Sequence, residues 1–213
     1  SSGAFAIETA AQQIRSGQSD VMIVVGGECF ETAVRLEWFR RLNLYAAGPD
    51  SMRPFSLDTT GFYVGEGAAA MVLESAENAS RRGATPYASY LGGACAHQAW
   101  KQTIPDVRAA KLKGVIFNAC SLTSTDLSAI DLIVPHGAGT QLSDGYEASC
   151  IKQAFEGQAK ASAAVFKPAV GHMLAASAII DTLCALLVLK HQSIPAACAP
   201  TANHSLPTKA PSS

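Results

Sequence analysis

Asp131-Leu-Ile-Val-Pro-His136-Gly-Ala-Gly-Thr140 and, further on, Lys167-Pro-Ala-Val-Gly-His172 bound the stretch from which the fold can be read. Residues 130–135 and 161–166 are short apolar runs, and 143–155 between them has helical spacing. A strand, a helix and a strand of these lengths predict βα units on a mainly parallel sheet, with ligands beyond the carboxyl ends of the strands. His136 and Lys167 both fall at such ends.

Working outward, the same alternation predicts a strand over 86–96 and a helix over about 106–119 on one side, and a helix over 172–189 on the other. That last helix is apolar nearly all round (Leu174, Ile179, Ile180, Leu183, Leu186, Leu187), which places it between layers or between subunits. Toward the N-terminus, Ala4, Ile7, Ala10, Ala11 and Ile14 predict a helix over 3–16, stopped by Gly17. Asp20-Val-Met-Ile-Val-Val-Gly26 is a continuous apolar run, the pattern of a strand covered on both faces. Residues 30–60 read as a long loop with a short helix, and Gly61-Phe-Tyr-Val-Gly65-Glu-Gly67 as a turn entering another strand, followed by a short helix before Gly83. The tail, 199–213, reads as irregular.

With 213 residues, 48% of them hydrophobic, the chain can bury a sizeable core. Charged residues make up only 15%, which points to surface covered by a subunit interface. A formal net charge of −1 and the lack of a basic run argue against nucleic acid. The six cysteines form no CxxC pair and sit in apolar surroundings, as expected of reduced thiols in a cytoplasmic protein rather than a disulfide frame or a metal site. No uninterrupted apolar run reaches the length of a membrane helix, and no signal peptide is visible.

The motifs carry the chemistry. Two imidazoles and an ammonium beyond strand ends suit the handling of a thioester carbonyl and a carboxylate. Pro54-Phe-Ser-Leu-Asp58 with Gly61 to Gly67, then His136-Gly-Ala-Gly-Thr140, then Lys167 to His172, resemble the β-ketoacyl-acyl-carrier-protein synthases of fatty acid and polyketide assembly, collinearly over essentially the whole chain. The resemblance implies a thiolase-like α/β fold, a five-layer αβαβα sandwich of two similar halves. Residues 1–83 would be the end of the N-terminal half and 84–213 the C-terminal half. It implies a dimer, homo- or heterodimeric, working on substrates held by the phosphopantetheine of an acyl carrier protein, with no cofactor, metal or membrane.

The implied reaction is a decarboxylative Claisen condensation. His136 and His172 match the family's two histidines, which would donate Nε2–H to the incipient enolate, and Lys167 matches its lysine. Glu147, one turn into the following helix, is the expected buried partner of Lys167, and Thr140 a supporting residue. His97, His191 and His204 match nothing in the family. Glycines 61, 65 and 67 precede no lysine-serine pair, so close packing explains them better than a nucleotide loop.

The sequence also departs from the family. Its nucleophilic cysteine would fall just before Ser1, and the Phe-Gly-Gly loop does not occur before Ser213. Ala138 stands in place of a threonine, Ser143-Asp-Gly-Tyr-Glu147 in place of a Gly-Asp-Pro stretch, and Pro168 follows the lysine. These features leave open a chain-length-factor-like, non-condensing partner of a ketosynthase, cleaved beside the former nucleophile position and holding its own N-terminal fragment. A hydrolase using Ser1 as an N-terminal nucleophile would leave all three motifs unexplained.

Overall fold

The structure, a computed structural model, describes residues 2–30, 33–101, 105–106, 111–156, 161–198 and 206. The first layer pair is built from α1 (Ser2–Arg15), β1 (Val21–Glu28) and β2 (Gly67–Glu74), the strands pairing antiparallel with Val21 opposite Glu74 and Glu28 opposite Gly67. Small residues let α1 lie close: Ile7, Ala10 and Ala11 are buried, and Gly17 (φ 73°) takes the left-handed conformation that ends the helix. Between the strands lie α2 (Ala33–Arg41) and a 3-10 turn at Pro49–Ser51. After them comes α3 (Ala76–Arg81), started by Ser75, whose side chain accepts from Asn78 N.

The second part contains α4 (Lys111–Leu122), β3 (Leu132–Ile133), α5 (Gln141–Ala154), β4 (Ser162–Ala163), the one-turn α6 (Lys167–Val170) and α7 (Leu174–His191). β3 and β4 pair in parallel, so the expected strand-helix-strand unit is present. Both strands are shorter than the apolar runs that announced them. Pro135 has no N–H to extend the β3 ladder. Around them Phe55, Ile151, Phe155, Val165 and Leu206 form a core cluster.

Helix α7 joins the two parts by packing on α1, β1 and β2. Ile179 is fully buried against Ile7 and Val24, a contribution of about 1.5–3 kcal/mol for such a side chain. A Cβ on Gly3 would come within 2.8 Å of Ala175 O, so the first turns of α1 and α7 touch. By length and composition α7 would pass for a membrane span. It packs on α1, β1 and β2, and the half-buried Asp181 midway along it pairs with Lys167.

Three expectations need correction. The strand expected over 86–96 is absent: those residues find no ladder partner among the described residues, and Tyr87 and Leu91 are exposed. β1 is covered on one face only. Ile23, Val25 and Val72 are open, because α1 and α7 lie on the same side and, among the described residues, no layer lies on the other. For the same reason α7 is not enclosed all round, and Leu187 and Leu189 are exposed. The expected start of the helix near 106 falls partly on residues outside the described ones, as do His204 and nearly all of the tail.

Candidate functional site

Because β3 and β4 run parallel, the loops leaving them emerge side by side, one carrying His136 and the other Lys167. Helix α5 holds the first loop with two side chains. Glu147 accepts from His136 N (2.6 Å) and Gly137 N (2.9 Å), and Asp144 accepts from Gly139 N (3.1 Å) and Phe55 N (2.9 Å). Thr59 Oγ1 donates to Gly139 O (2.7 Å) from the other side. The backbone of the loop is thus held by two carboxylates that the sequence places nearby in α5 and by the Thr59 hydroxyl from far away in the chain, with Phe55 N–H sharing the Asp144 carboxylate. Gly137 (φ 52°) and Gly139 (φ 83°) supply the left-handed turns this path needs.

The second loop is anchored by a different device. His172 N donates to Tyr63 O (2.7 Å), and Gly65 N donates to His172 O (3.2 Å), a parallel bridge onto the Gly61–Gly67 segment. The approach is close enough that a Cβ on Gly65 would lie 2.1 Å from Val170 O. Packing, as expected from the sequence, explains this glycine. Pro168 sits in the first turn of α6, where its missing N–H costs nothing.

These anchors bring the two histidines together. Their ring centroids are 5.1 Å apart at an interplanar angle of 75°, and Phe62 packs edge-on against His172 at 5.3 Å. His172 is buried, and its Nδ1 accepts from Leu174 N–H (3.1 Å) and lies 3.0 Å from Ser177 Oγ. A ring nitrogen that receives a backbone N–H cannot carry a proton itself, so the proton of neutral His172 is on Nε2. Burial, reinforced by His136 and the Lys167 charge, lowers its pKa to about 3. His136 stands at the open side of the pair, and desolvation by the surrounding protein and Lys167 lowers its pKa too. Both imidazoles are neutral at pH 7.

Lys167 is 1% exposed, and its Nζ donates to Asp181 Oδ2 at 2.6 Å. Glu147, the partner expected from the sequence, instead spends both oxygens on backbone amides. Asp181 was missed, although a signal existed: it is the one acidic residue in α7. Burial raises the pKa of Asp181, with Lys167 opposing, and likewise raises that of Glu147, with its two amides opposing. Asp144, also buried, is raised to about 6. Thr140 precedes α5 with no capping hydrogen bond from its side chain, while its carbonyl accepts from Asp144 N. His97 and His191 lie apart: His97 Nδ1 accepts from Ala99 N, and His191 ends α7.

A recess of about 200 Å³ opens beside Lys167, Met52, Tyr63 and Gly171, and a larger one of about 610 Å³ lies between α1 and α4. Neither is lined by the two histidines. Among the described residues no group of three His, Cys, Asp or Glu side chains could hold a metal ion.

Known proteins resemble this chain along most of its length. Residues 1–79 match the family described as the beta-ketoacyl synthase N-terminal domain, and residues 87–201 its C-terminal domain. Nodulation protein E of Rhizobium sp. (strain N33) is 33% identical over 95% of this chain and 48% of its own length. The 3-oxoacyl-[acyl-carrier-protein] synthase 2 of Coxiella burnetii is 30% identical over 87% of this chain and 46% of its own. Among solved structures, a type II PKS acyl-carrier protein in complex with its ketosynthase, bound to the hexaketide, matches with a TM-score of 0.86 at 28% identity, covering 96% of this chain and 52% of that one. The ishigamide ketosynthase/chain length factor matches with a TM-score of 0.84 at 27% identity, covering 99% and 52%. The fold is that of the thiolase-like ketosynthases, and the chain spans about half the length of the curated relatives it matches.

Proposed function

Since this chain belongs to the β-ketoacyl synthase family, we propose that it supplies the decarboxylating part of a condensing site acting on malonyl and acyl thioesters held by an acyl carrier protein. The observation that carries the reading is the edge-to-face pair His136–His172, both neutral, with the His172 proton on Nε2.

Breaking the bond between the malonyl carboxylate and its methylene releases carbon dioxide and leaves an electron pair on the thioester enolate. Two neutral N–H donors aimed at the enolate oxygen stabilise charge that develops only as that bond breaks, which is where stabilisation accelerates a reaction. A protonated imidazole would bind the starting carboxylate as well, and a general base has no proton to take. The enolate carbon then attacks the carbonyl of an acyl thioester on a cysteine thiolate leaving group, giving a 3-oxoacyl thioester. Burial chiefly keeps both rings unprotonated, and the Lys167 ammonium, paired with Asp181, adds to it.

Relatives named 3-oxoacyl-[acyl-carrier-protein] synthase 2, and a ketosynthase solved with its carrier protein, support the substrate class and the partner. A ketosynthase-family dimer partner and a cytoplasmic place agree with the scattered cysteines, which form no CxxC pair, and with the open apolar faces of β1 and α7. Malonyl-carrier decarboxylation by the full-length protein, with His136→Ala, is the test. Loss of carbon dioxide release in a folded variant supports the reading. Parent protein that neither decarboxylates nor accepts an acyl group overturns it in favour of the chain-length-factor role, a possibility kept in view by Ala138 and the ishigamide neighbour.

A further inference from the structure

We infer that Ser177 is a positioning residue for His172, giving its ring a second donor that fixes the proton on Nε2. The inference deepens the condensing site proposed above and rests on it for its kinetic consequence only.

Ser177 lies in the first turn and a half of α7 and is 5% exposed. A buried serine in a helix commonly turns its hydroxyl onto the carbonyl one turn back. Here it does something else. Its Oγ is 3.0 Å from Met173 N, from which it accepts, and 3.0 Å from His172 Nδ1. Having accepted from Met173, the hydroxyl has its own proton to give. Nδ1 is the acceptor in reach, already shown to be unprotonated by Leu174 N–H at 3.1 Å.

The consequence is an interlocked helix start. The first N–H groups of a helix lack partners within it, and α7 meets that need with the imidazole for Leu174 and the serine oxygen for Met173. Moving the His172 proton to Nδ1, or adding a second proton there, breaks the hydrogen bond from Leu174 N and forces the Ser177 hydroxyl to turn from donor to acceptor. The backbone donor is common to any residue at 174, but the hydroxyl belongs to Ser177 alone. It is not a nucleophile: it is buried, and Met173 N–H occupies its oxygen. The groups facing His172 from other elements are His136, Lys167 and the uncharged Phe62, and none of them reaches Nδ1 in a hydrogen bond among the described residues.

The test uses the full-length protein labelled with nitrogen-15 at histidine. In the parent, His172 is expected to show a bare, pyridine-type Nδ1 and a protonated Nε2. Ser177→Ala should raise the His172 pKa by about 0.5–1 unit, the equivalent of one lost hydrogen bond. It should also lower kcat for malonyl decarboxylation about three- to tenfold with KM little changed. Ser177→Thr, which keeps the hydroxyl, should restore both. Should the alanine variant not fold, Ser177→Cys, with its weaker donor, is expected to give a smaller shift in the same direction. A parent ring protonated on Nδ1, or a His172 pKa and tautomer untouched by loss of the hydroxyl, overturns the inference. If the parent shows the expected spectra and releases no carbon dioxide, the proposed function fails while the role of Ser177 stands.

Discussion

Lys167 and Asp181 lie fourteen residues apart in the chain and 2.6 Å apart in space, one on α6 and the other on α7, with the lysine almost wholly buried. Taking two charges out of water is costly, and the pair is tolerated because each removes the penalty of the other. Asp181→Leu should therefore destabilise the protein by about 3–5 kcal/mol, since it strands a buried ammonium. Pairing Asp181→Leu with Lys167→Met should recover most of that loss while abolishing decarboxylation. Urea unfolding of the two singles and the double decides it, and additive losses would mean the pair is not coupled.

The site was legible in the sequence wherever the determinant was local. His136 and Lys167 were placed because short apolar runs announce strands and parallel strands deliver their loops to one edge. His172 followed from the motif. Asp181 was hidden because a helix that reads as apolar on all sides gives no direction to its single carboxylate. The role of Glu147 was mistaken for a related reason: residue spacing puts it near the His136 loop, but whether a carboxylate meets an ammonium or two amides depends on backbone direction, which spacing does not encode. The one-sided cover of β1 was invisible too, since a strand of consecutive Val, Met and Ile reads the same whether its outer face is covered by this chain or left open.

The clamp of α5 on the His136 loop gives a second prediction. Glu147→Gln preserves size but offers one acceptor where two amides need one each, and its NH2 faces a donor. The expected cost is about 1–3 kcal/mol of stability. Decarboxylation should fall because the His136 ring moves, while the nitrogen-15 signature of His172, held by its own loop, stays as in the parent. A variant with full activity would show that the loop keeps its path without the clamp.

Gly65 offers a purely steric prediction. A methyl group there would lie 2.1 Å from Val170 O and 3.1 Å from Gly171 Cα, so the backbone must separate. That separation is where His172 bridges to Tyr63 and Gly65. Gly65→Ala should cost roughly 1–3 kcal/mol or more and impair catalysis, whereas Gly83→Ala, with open space around its Cβ but a left-handed φ of 68°, should cost about 1 kcal/mol and leave activity alone. Equal effects on activity at the two positions would remove the bridge from the account of how His172 is placed.

His172 also predicts how stability depends on pH. Its pKa falls from 6.5 to about 3 on folding, so between those values the unfolded chain holds a proton that the folded protein lacks. Where the unfolded state binds more protons, stability rises with pH, and this contribution is therefore lost as pH falls below about 6.5. Asp144 works the other way: raised from 3.8 to about 6, it keeps a proton in the folded state that the unfolded chain has shed, and its contribution grows on acidification through that interval. Because the two oppose each other, the parent's pH curve alone does not isolate either. The difference between parent and His172→Gln does. From pH 6.5 to pH 5 the variant should gain on the parent by about 1.6 kcal/mol in urea unfolding, the slope approaching roughly 1.4 kcal/mol per unit in the window between the two pKa values. A difference that stays constant over this range would mean His172 titrates as an ordinary exposed imidazole, and a ring charged at mildly acidic pH could not serve as the neutral donor on which the proposed chemistry depends.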